Sequence, residues 1–459
     1  MSKYLYGASV QGIQEFIFAT NKLQEIVGAS EIVKSVANEF EKISGYKNND
    51  SRILLNAAGN IKAVFDTRQS CEKVVLEFEK MVQQKAYGIT ISQAVVKFDG
   101  DVKNFINELE KRLKTQRNKP TLPLDISINL MKLNPSTAKP LININSDKAT
   151  FSKLEAYKSI ENKENTNLQK LSNEKNKIAV IHVDGNNLGQ LIPNLNMPLS
   201  EFSQKLDSAT KEAFKIAKGA KKLREVILGG DDVTVICNAN DALSFTKEFL
   251  YNFEEETKKI LGKDKKLTAC AGIAYSNEKY PFHYAVNLAE TLCAAAKKHS
   301  KNINKELSPS SLMFHNIQSS NFQSWDKFVK DELTIKNEQK TIRCDFGPYY
   351  LNEPNQALID KLQVVANSYK CNGNPMARLR NWMSQLYKSN TMAINLLQRI
   401  NEVTEQSGKW NKTIMDENLK NLYSNLSSEK LIISKDGLEK TPIYDIHQLH
   451  SVTDNQGVI

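Results

Sequence analysis

The sequence has no apolar run approaching the ~20 residues needed to span a bilayer. Its opening, Met1-Ser2-Lys3-Tyr4-Leu5-Tyr6-Gly7, enters a strand-like pattern without the long apolar core of a signal peptide. No membrane association is expected, and the cytoplasm is the default location. Cysteine is sparse as well. The six cysteines (Cys71, Cys237, Cys270, Cys293, Cys344 and Cys371) form no Cys-x-x-Cys pair, which argues against a zinc ribbon and against a disulfide scaffold. They read as small, reduced core residues. The six histidines show no metal-binding spacing, and His447 and His450, three apart near the end, read as incidental.

What is present is a soluble globular composition, 40% hydrophobic and 25% charged over 459 residues, long enough for two to four domains. The formal charge is +10, which suits acidic partners such as nucleic acid or nucleotide phosphates and equally suits a lysine-rich solubilising surface. Charge alone does not choose between these.

The clearest order of elements runs over residues 177–305. Residues 177–183 (KIAVIHV) form a short, apolar, β-branched run ending in the turn sequence Asp184-Gly185-Asn186-Asn187. A helix after Ser200 carries Phe202, Leu206, Ala209, Ala213 and Ala217 on one face. Two strands, residues 225–228 and 233–237, are joined by Gly229-Gly230-Asp231-Asp232, a hairpin signal. A helix with Ala242, Phe245, Phe249 and Phe253, a strand over 267–275, and a helix with Ala285, Leu288, Leu292 and Ala295 complete the set. The order β-α-β-β-α-β plus a closing helix is that of a ferredoxin-like palm.

A weaker copy opens the chain. Residues 4–10 and 89–98 are strand-like, residues 52–56 and 61–65 form a second hairpin, and helices start near Gly12 and span 70–84. Without a gap, residues 54–61 (LLNAAGNI) align with residues 226–233 (VILGGDDV), so that Gly59 and Asn60 stand where Asp231 and Asp232 stand in the second copy. The pattern is an internal duplication with one half stripped of its carboxylates. The expected fold is α+β, with two ferredoxin-like palm domains, a helical connector and an α-helical C-terminal domain. The expected boundaries are 1–100 for the first palm, 101–176 for a basic helical and loop connector, 177–305 for the second palm, and 306–459 for the C-terminal domain. Helices are expected there over 357–370, 376–388, 392–406 and 416–426.

Phosphoryl transfer needs an in-line nucleophile, a departing pyrophosphate and divalent cations to neutralise the charge that builds between them. Two metals ~3.5–4 Å apart need carboxylates from more than one element, and Mg²⁺ takes hard oxygen ligands. A strand end carrying Asp184 beside a hairpin tip carrying Asp231 and Asp232 meets that need. Gly229 and Gly230 let the hairpin turn tightly and let a nucleotide approach the backbone. The segment Gly185-Asn186-Asn187-Leu188-Gly189 leads towards a helix whose N–H groups could hold phosphate oxygens. Asp184, Asp231 and Asp232 are therefore the candidate catalytic residues and ligands of two Mg²⁺ or Mn²⁺ ions. Lys297, after the apolar stripe of the last palm helix, could reach the β- and γ-phosphates, or could simply be solvated.

These residues resemble the large, polymerase-like subunit of type III CRISPR effector complexes. The opening Gly7-Ala8-Ser9-Val10-Gln11-Gly12-Ile13-Gln14-Glu15-Phe16-Ile17 with Val27-Gly28-Ala29-Ser30 is similar to the start of that family's first palm. His182-Val183-Asp184-Gly185-Asn186-Asn187-Leu188-Gly189, the Gly229–Asp232 hairpin, Ala271-Gly272-Ile273-Ala274, Pro281 and Ala296-Lys297 resemble its second palm. The resemblance implies synthesis of cyclic oligoadenylate, with one ATP and the metals at the second palm and another ATP, whose 3′-hydroxyl attacks, at the first. It implies RNA and effector-complex subunits as partners, and a nucleotide-binding role for Gly185, Asn186, Asn187, Leu188, Gly189, Gly229, Gly230 and Lys297. No His-Asp nuclease motif precedes the first palm and no cysteine zinc site lies between the palms, so DNA cleavage is not implied. Two other readings remain. A GGDEF-type cyclic dinucleotide synthase shares the palm and hairpin, but here Val233-Thr234-Val235 follows Asp232 in place of Glu-Phe. A catalytically silent RNA-binding scaffold would use the basic surface alone.

Overall fold

The computed structural model describes residues 2–47, 50–57, 59–119, 128, 130–161, 167–191, 197–262, 266–318, 324–336, 341–370, 373–408 and 411–454. The chain divides into two compact units: residues 1–167, 189–210 and 226–230 in the first, and 168–188, 211–225 and 231–459 in the second.

In the first unit the elements are β1 (Lys3–Gln11), α1 (Ile13–Phe18), α2 (Leu23–Ser44), β2 (Ile53–Ala57), β3 (Asn60–Phe65), α3 (Arg68–Lys85), β4 (Thr90–Phe98), α4 (Lys103–Arg117) and α5 (Lys148–Lys158). The strands form a four-stranded sheet in the order β2-β3-β1-β4. Every pairing in it is antiparallel. Six consecutive residues of β1, Leu5 to Val10, are buried, because the sheet is covered on both faces and the period of two is lost. On one face Tyr6 stacks on Phe40 of α2 at 6.0 Å, and Phe40 meets Phe78 of α3 edge-on at 5.5 Å. On the other, Leu5, Val64, Ala94, Val96 and Phe98 pack with Leu109 and Leu113 of α4.

α4, which lies in the segment expected as a connector, packs on β1 and β4 of this sheet. The sequence hides this because α4 is basic and polar outside the one strip formed by Phe105, Ile106, Leu109 and Leu113. After α4, the segment that does connect carries α5, which packs on α2. There the buried Lys153 ammonium donates to the Phe16 carbonyl at 2.5 Å.

The second half runs α6 (Leu168–Leu171), β5 (Lys177–Gly185), α7 (Leu188–Leu191), α8 (Leu199–Lys218), β6 (Leu223–Gly229), β7 (Asp232–Asn238), α9 (Ala242–Leu261), β8 (Ala269–Asn277) and α10 (Phe282–Ile303). The unit boundary passes through α8 and the β6–β7 hairpin. In the sheet these strands lie in the order β6-β7-β5-β8, the order of the first palm. Phe245, Phe249 and Phe253 of α9 are all buried and stack successively at 6.2 and 5.9 Å. Burial of each contributes ~1.5–3 kcal/mol against exposure. On α10, Ala285, Leu288 and Leu292 are buried as expected, and Ala296 rather than Ala295 closes the stripe.

The remaining elements are β9 (Ser311–Asn316), α11 (Trp325–Asp331), β10 (Thr334–Lys336), β11 (Thr341–Arg343), β12 (Tyr349–Tyr350), α12 (Ile359–Ser368), α13 (Met376–Leu386), α14 (Asn390–Ser407), α15 (Lys412–Leu422), β13 (Ile433–Lys435), β14 (Leu438–Lys440) and α16 (Ile443–Val452). The C-terminal region was expected to be α-helical, and it contains strands as well. β9 and β12 extend the palm sheet to six strands, and β10-β11-β14-β13 form a separate sheet. β9 pairs in parallel with β8. It is buried at all six positions, so it shows no alternation. The strands of the separate sheet have three residues each, too few to show a period.

Five cysteines (Cys71, Cys237, Cys270, Cys293 and Cys344) are free and buried, and Cys371 lies outside the described residues. Among the described residues no helix is long and apolar enough to cross a membrane.

Candidate active site

The antiparallel pairing of β5 with β7 sets Val183 opposite Val233, and the next step of that register brings Asp184 beside Asp232. On the other side, β8 pairs with β5 so that Asp184 faces Cys270. The carboxylate therefore sits at the end of a central strand, flanked by the hairpin tip. α10, following β8, brings Lys297 to this strand end. Its ammonium donates to Asp184 Oδ2 at 2.7 Å and to the Gly185 carbonyl at 2.6 Å. Lys297 is thus part of the site and not a solvated surface lysine.

Asp231 reaches Asp184 from the hairpin. Burial, followed by the Asp184 charge, pushes its carboxyl up to about 6. Asp232 is pushed up to about 7, by burial first and then by Asp184, Asp231 and Glu290. Its two oxygens differ. Oδ1 is shut off from solvent and has no hydrogen-bond partner, while the side chain as a whole keeps 40% of its surface open. His182 lies 3.5 Å from Oδ1 but is held neutral by burial and pairs its Nδ1 with Thr234 Oγ1 at 3.2 Å.

Among the described residues no three His, Cys, Asp or Glu side chains are arranged as a ready metal cluster. Lys297 stands on Asp184, and Asp232 is turned towards His182. The donor chemistry nonetheless fits divalent cations. These are hard carboxylate oxygens in excess of the local positive charge, two of the groups resist ionisation, and one oxygen is unpartnered. Glu290 was missed at the sequence level. It lies seven residues, two helical turns, before Lys297 on the same face of α10, its Oε1 is buried without a partner, and burial raises its carboxyl. That spacing was the available signal.

The glycine and asparagine candidates are placed unequally. Gly230 turns the hairpin with φ of +62°. Asn186 Nδ2 donates to Thr268 Oγ1 at 3.0 Å and to the Ser308 carbonyl at 3.2 Å. Asn187 Nδ2 donates to the carbonyls of Lys305 and Glu306 at 3.3 and 3.1 Å. These amides brace the strand end against the segment after α10. Leu188 is buried, and Gly189 is exposed at the start of α7. α7, the helix to which the expected phosphate-holding segment leads, is a single turn of four residues.

Raised carboxyl pKa values carry a stability cost that depends on pH. Both aspartates titrate near 4 when unfolded and at about 6 and about 7 when folded without metal. Below pH 4 both states are protonated and nothing is lost. As pH rises to 7 the folded state binds the extra protons, so stability falls through that window. Asp232→Asn should therefore melt above the metal-free wild type at pH 8 and level with it at pH 4. Melting curves across this range decide it, and an offset independent of pH would contradict the assignment.

The segment from β5 through α10, residues 177–305, matches the family model for Cas10/Cmr2, second palm domain. This segment is a Cas10-like second palm. The model covers this palm alone, and no curated protein matches the chain. Solved structures similar to the chain include the Csm1–Csm4 cassette in complex with cA3 (13% identity, TM-score 0.55, 98% of this chain and 69% of that one). The same cassette in complex with AMPPNP matches with 13% identity and a TM-score of 0.54, over 98% and 70%. The Csm1–Csm4 subcomplex of the type III-A CRISPR-Csm interference complex matches with 15% identity and a TM-score of 0.47 over 65% of this chain and 53% of that one, so the chain spans about half the length of that relative. At these identities the likeness is one of fold: two palms with helical regions.

Proposed function

We propose that the protein is a metal-dependent nucleotidyltransferase that joins nucleoside triphosphates, ATP foremost, by 3′–5′ bonds into a cyclic oligonucleotide used in CRISPR-type antiphage defence. The observation that carries this reading is the meeting of Asp184, Asp231 and Lys297 at one strand end, with Asp232 beside them, inside a Cas10/Cmr2 second palm domain. The cassettes of similar fold that were crystallised with AMPPNP and cA3 support it.

In the reaction a 3′-hydroxyl attacks an α-phosphorus, the new P–O bond forms as the bond to pyrophosphate breaks, and the hydroxyl proton is released. Asp184, Asp231 and Asp232 would hold two Mg²⁺ or Mn²⁺ ions, which when bound neutralise the transferring phosphate. Lys297, an ammonium already at the strand end, leaves Asp184 for the β- and γ-phosphates of the incoming nucleotide. Gly229 and Gly230 let its base and ribose lie against the hairpin backbone. The other palm takes the second nucleotide. RNA and effector-complex subunits are the partners that the +10 charge and the cassette-like fold favour.

Incubation of the purified protein with labelled ATP or GTP and Mg²⁺ or Mn²⁺ tests this. A cyclic oligoadenylate supports the proposal, and a cyclic dinucleotide from GTP replaces it with a GGDEF-type reading. No product with any triphosphate, in the presence of target RNA, would leave a binding scaffold.

A further inference from the structure

The duplication reaches further than the hairpins, and it assigns a role to a residue in the first palm. The registers of the two sheets superpose step for step. In the first, Ser9 of β1 faces Asn60 of β3 and Ser92 of β4. In the second, Asp184 of β5 faces Cys270 of β8 and lies next in register to Asp232 of β7. Ser9 therefore occupies the place of Asp184, as Asn60 occupies that of Asp232. Each palm is then closed by a helix after its last strand, α4 in the first and α10 in the second.

Both closing helices approach the sheet over a glycine. A Cβ on Gly272 would fall 1.9 Å from the Ala289 carbonyl oxygen of α10, and a Cβ on Gly7 would fall 2.8 Å from Leu109 Cδ2 and 3.0 Å from Leu113 Cδ1 of α4. Continuing each stripe by four residues leads from Ala289 and Cys293 to Lys297, and from Leu109 and Leu113 to Arg117. The end of the stripe is a cation in both. Lys297 donates to Asp184, and Arg117 Nη2 donates to the Ser9 hydroxyl at 3.0 Å, which in turn donates to Asn60 Oδ1 at 3.0 Å. Where the second palm has three carboxylates under its cation, the first has a hydroxyl, a glycine and an amide. No anion there needs a metal, and the guanidinium is exposed at the surface. A guanidinium offers five N–H donors, of which Ser9 takes one, in a fork suited to phosphate oxygens.

We infer that Arg117 is the phosphate-binding cation of the first palm, and that this half holds a nucleoside triphosphate without any protein-bound divalent ion. The inference rests on the proposed nucleotide chemistry and adds to it the group and the metal independence of the second nucleotide.

Binding of a labelled, non-hydrolysable ATP analogue to the full chain by equilibrium dialysis tests this. The wild type should take two equivalents in Mn²⁺ and keep one in EDTA. Arg117→Ala should lose the EDTA-resistant equivalent and keep the Mn²⁺-dependent one. Arg117→Lys should retain it with affinity weaker by roughly 10- to 100-fold, since the point charge remains without the fork. Asp231→Ala with Asp232→Ala should show the reverse loss, keeping the EDTA-resistant equivalent alone. An EDTA-resistant equivalent that survives Arg117→Ala, or none in the wild type beside a Mn²⁺-dependent one, overturns the inference and leaves the proposed function standing. Failure to bind any analogue in Mn²⁺ overturns both.

Discussion

Asp231→Ala combined with Asp232→Ala should lower product formation by at least ~10²–10³-fold, because the transferring phosphate loses the anchors of both cations that neutralise it. Asp184→Ala should do the same by another route, since it removes the strand-end carboxylate and frees Lys297 from its 2.7 Å contact. The fold should survive all three changes. Asp231 and Asp232 are raised to about 6 and about 7, so in the metal-free protein at neutral pH their charges oppose folding and their removal does not weaken it. A thermal melt at or above that of the wild type, with synthesis gone, is the expected pair of results. Retained turnover in any of these variants would sink the two-metal assignment.

Gly185→Ala should be nearly as damaging from a position that supplies no side chain. A Cβ there would lie 2.8 Å from Asp231 Cβ, closer than real carbon contacts allow, and a tight 3.0 Å from Leu188 Cδ1. The nearest atom is the root of the Asp231 side chain, which has no freedom to swing aside, so the hairpin tip itself must move. A displacement of order 1 Å at reacting groups costs ~10²-fold in rate, while overpacking costs ~1–3 kcal/mol of stability. Turnover should thus fall far more than melting temperature. Gly229→Ala is the control: nothing lies within 4 Å of its added Cβ, so any loss there should appear in substrate affinity and not in the melt. Equal and mild effects from the two substitutions would show that the Asp231–Asp184 approach is not required.

The second palm was legible in the sequence because each of its elements is long and patterned. α9 places phenylalanines every four residues, and the apolar run before Asp184 has the composition of a buried strand. The match between the two hairpins was legible too, since an ungapped alignment set Gly59 and Asn60 against Asp231 and Asp232; that Asn60 lies opposite Ser9 emerges only from the strand register. Three things were not. α4 was hidden because its apolar face is one strip of Phe105, Ile106, Leu109 and Leu113, which leaves a basic surface that resembles a linker. The strands after residue 305 were hidden because full burial at β9 removes alternation and three-residue strands contain none. Within the site, the bracing of Asn186 and Asn187 by residues 268 and 305–308 was out of reach, since partners about 80 to 120 positions away in the chain leave no local signal. Lys297 was singled out but was not separable from a solvated lysine by pattern alone. Its distance to Asp184 is what distinguishes the two.

The most direct test of the central claim is the anomalous signal from crystals of the full chain soaked with Mn²⁺ and a non-hydrolysable ATP analogue. Two ions bound by Asp184, Asp231 and Asp232, with Lys297 moved onto the phosphates and no ion near Asn60, is the predicted result. A nucleotide bound with no ion on these carboxylates, or an ion pair beside Asn60, would contradict it.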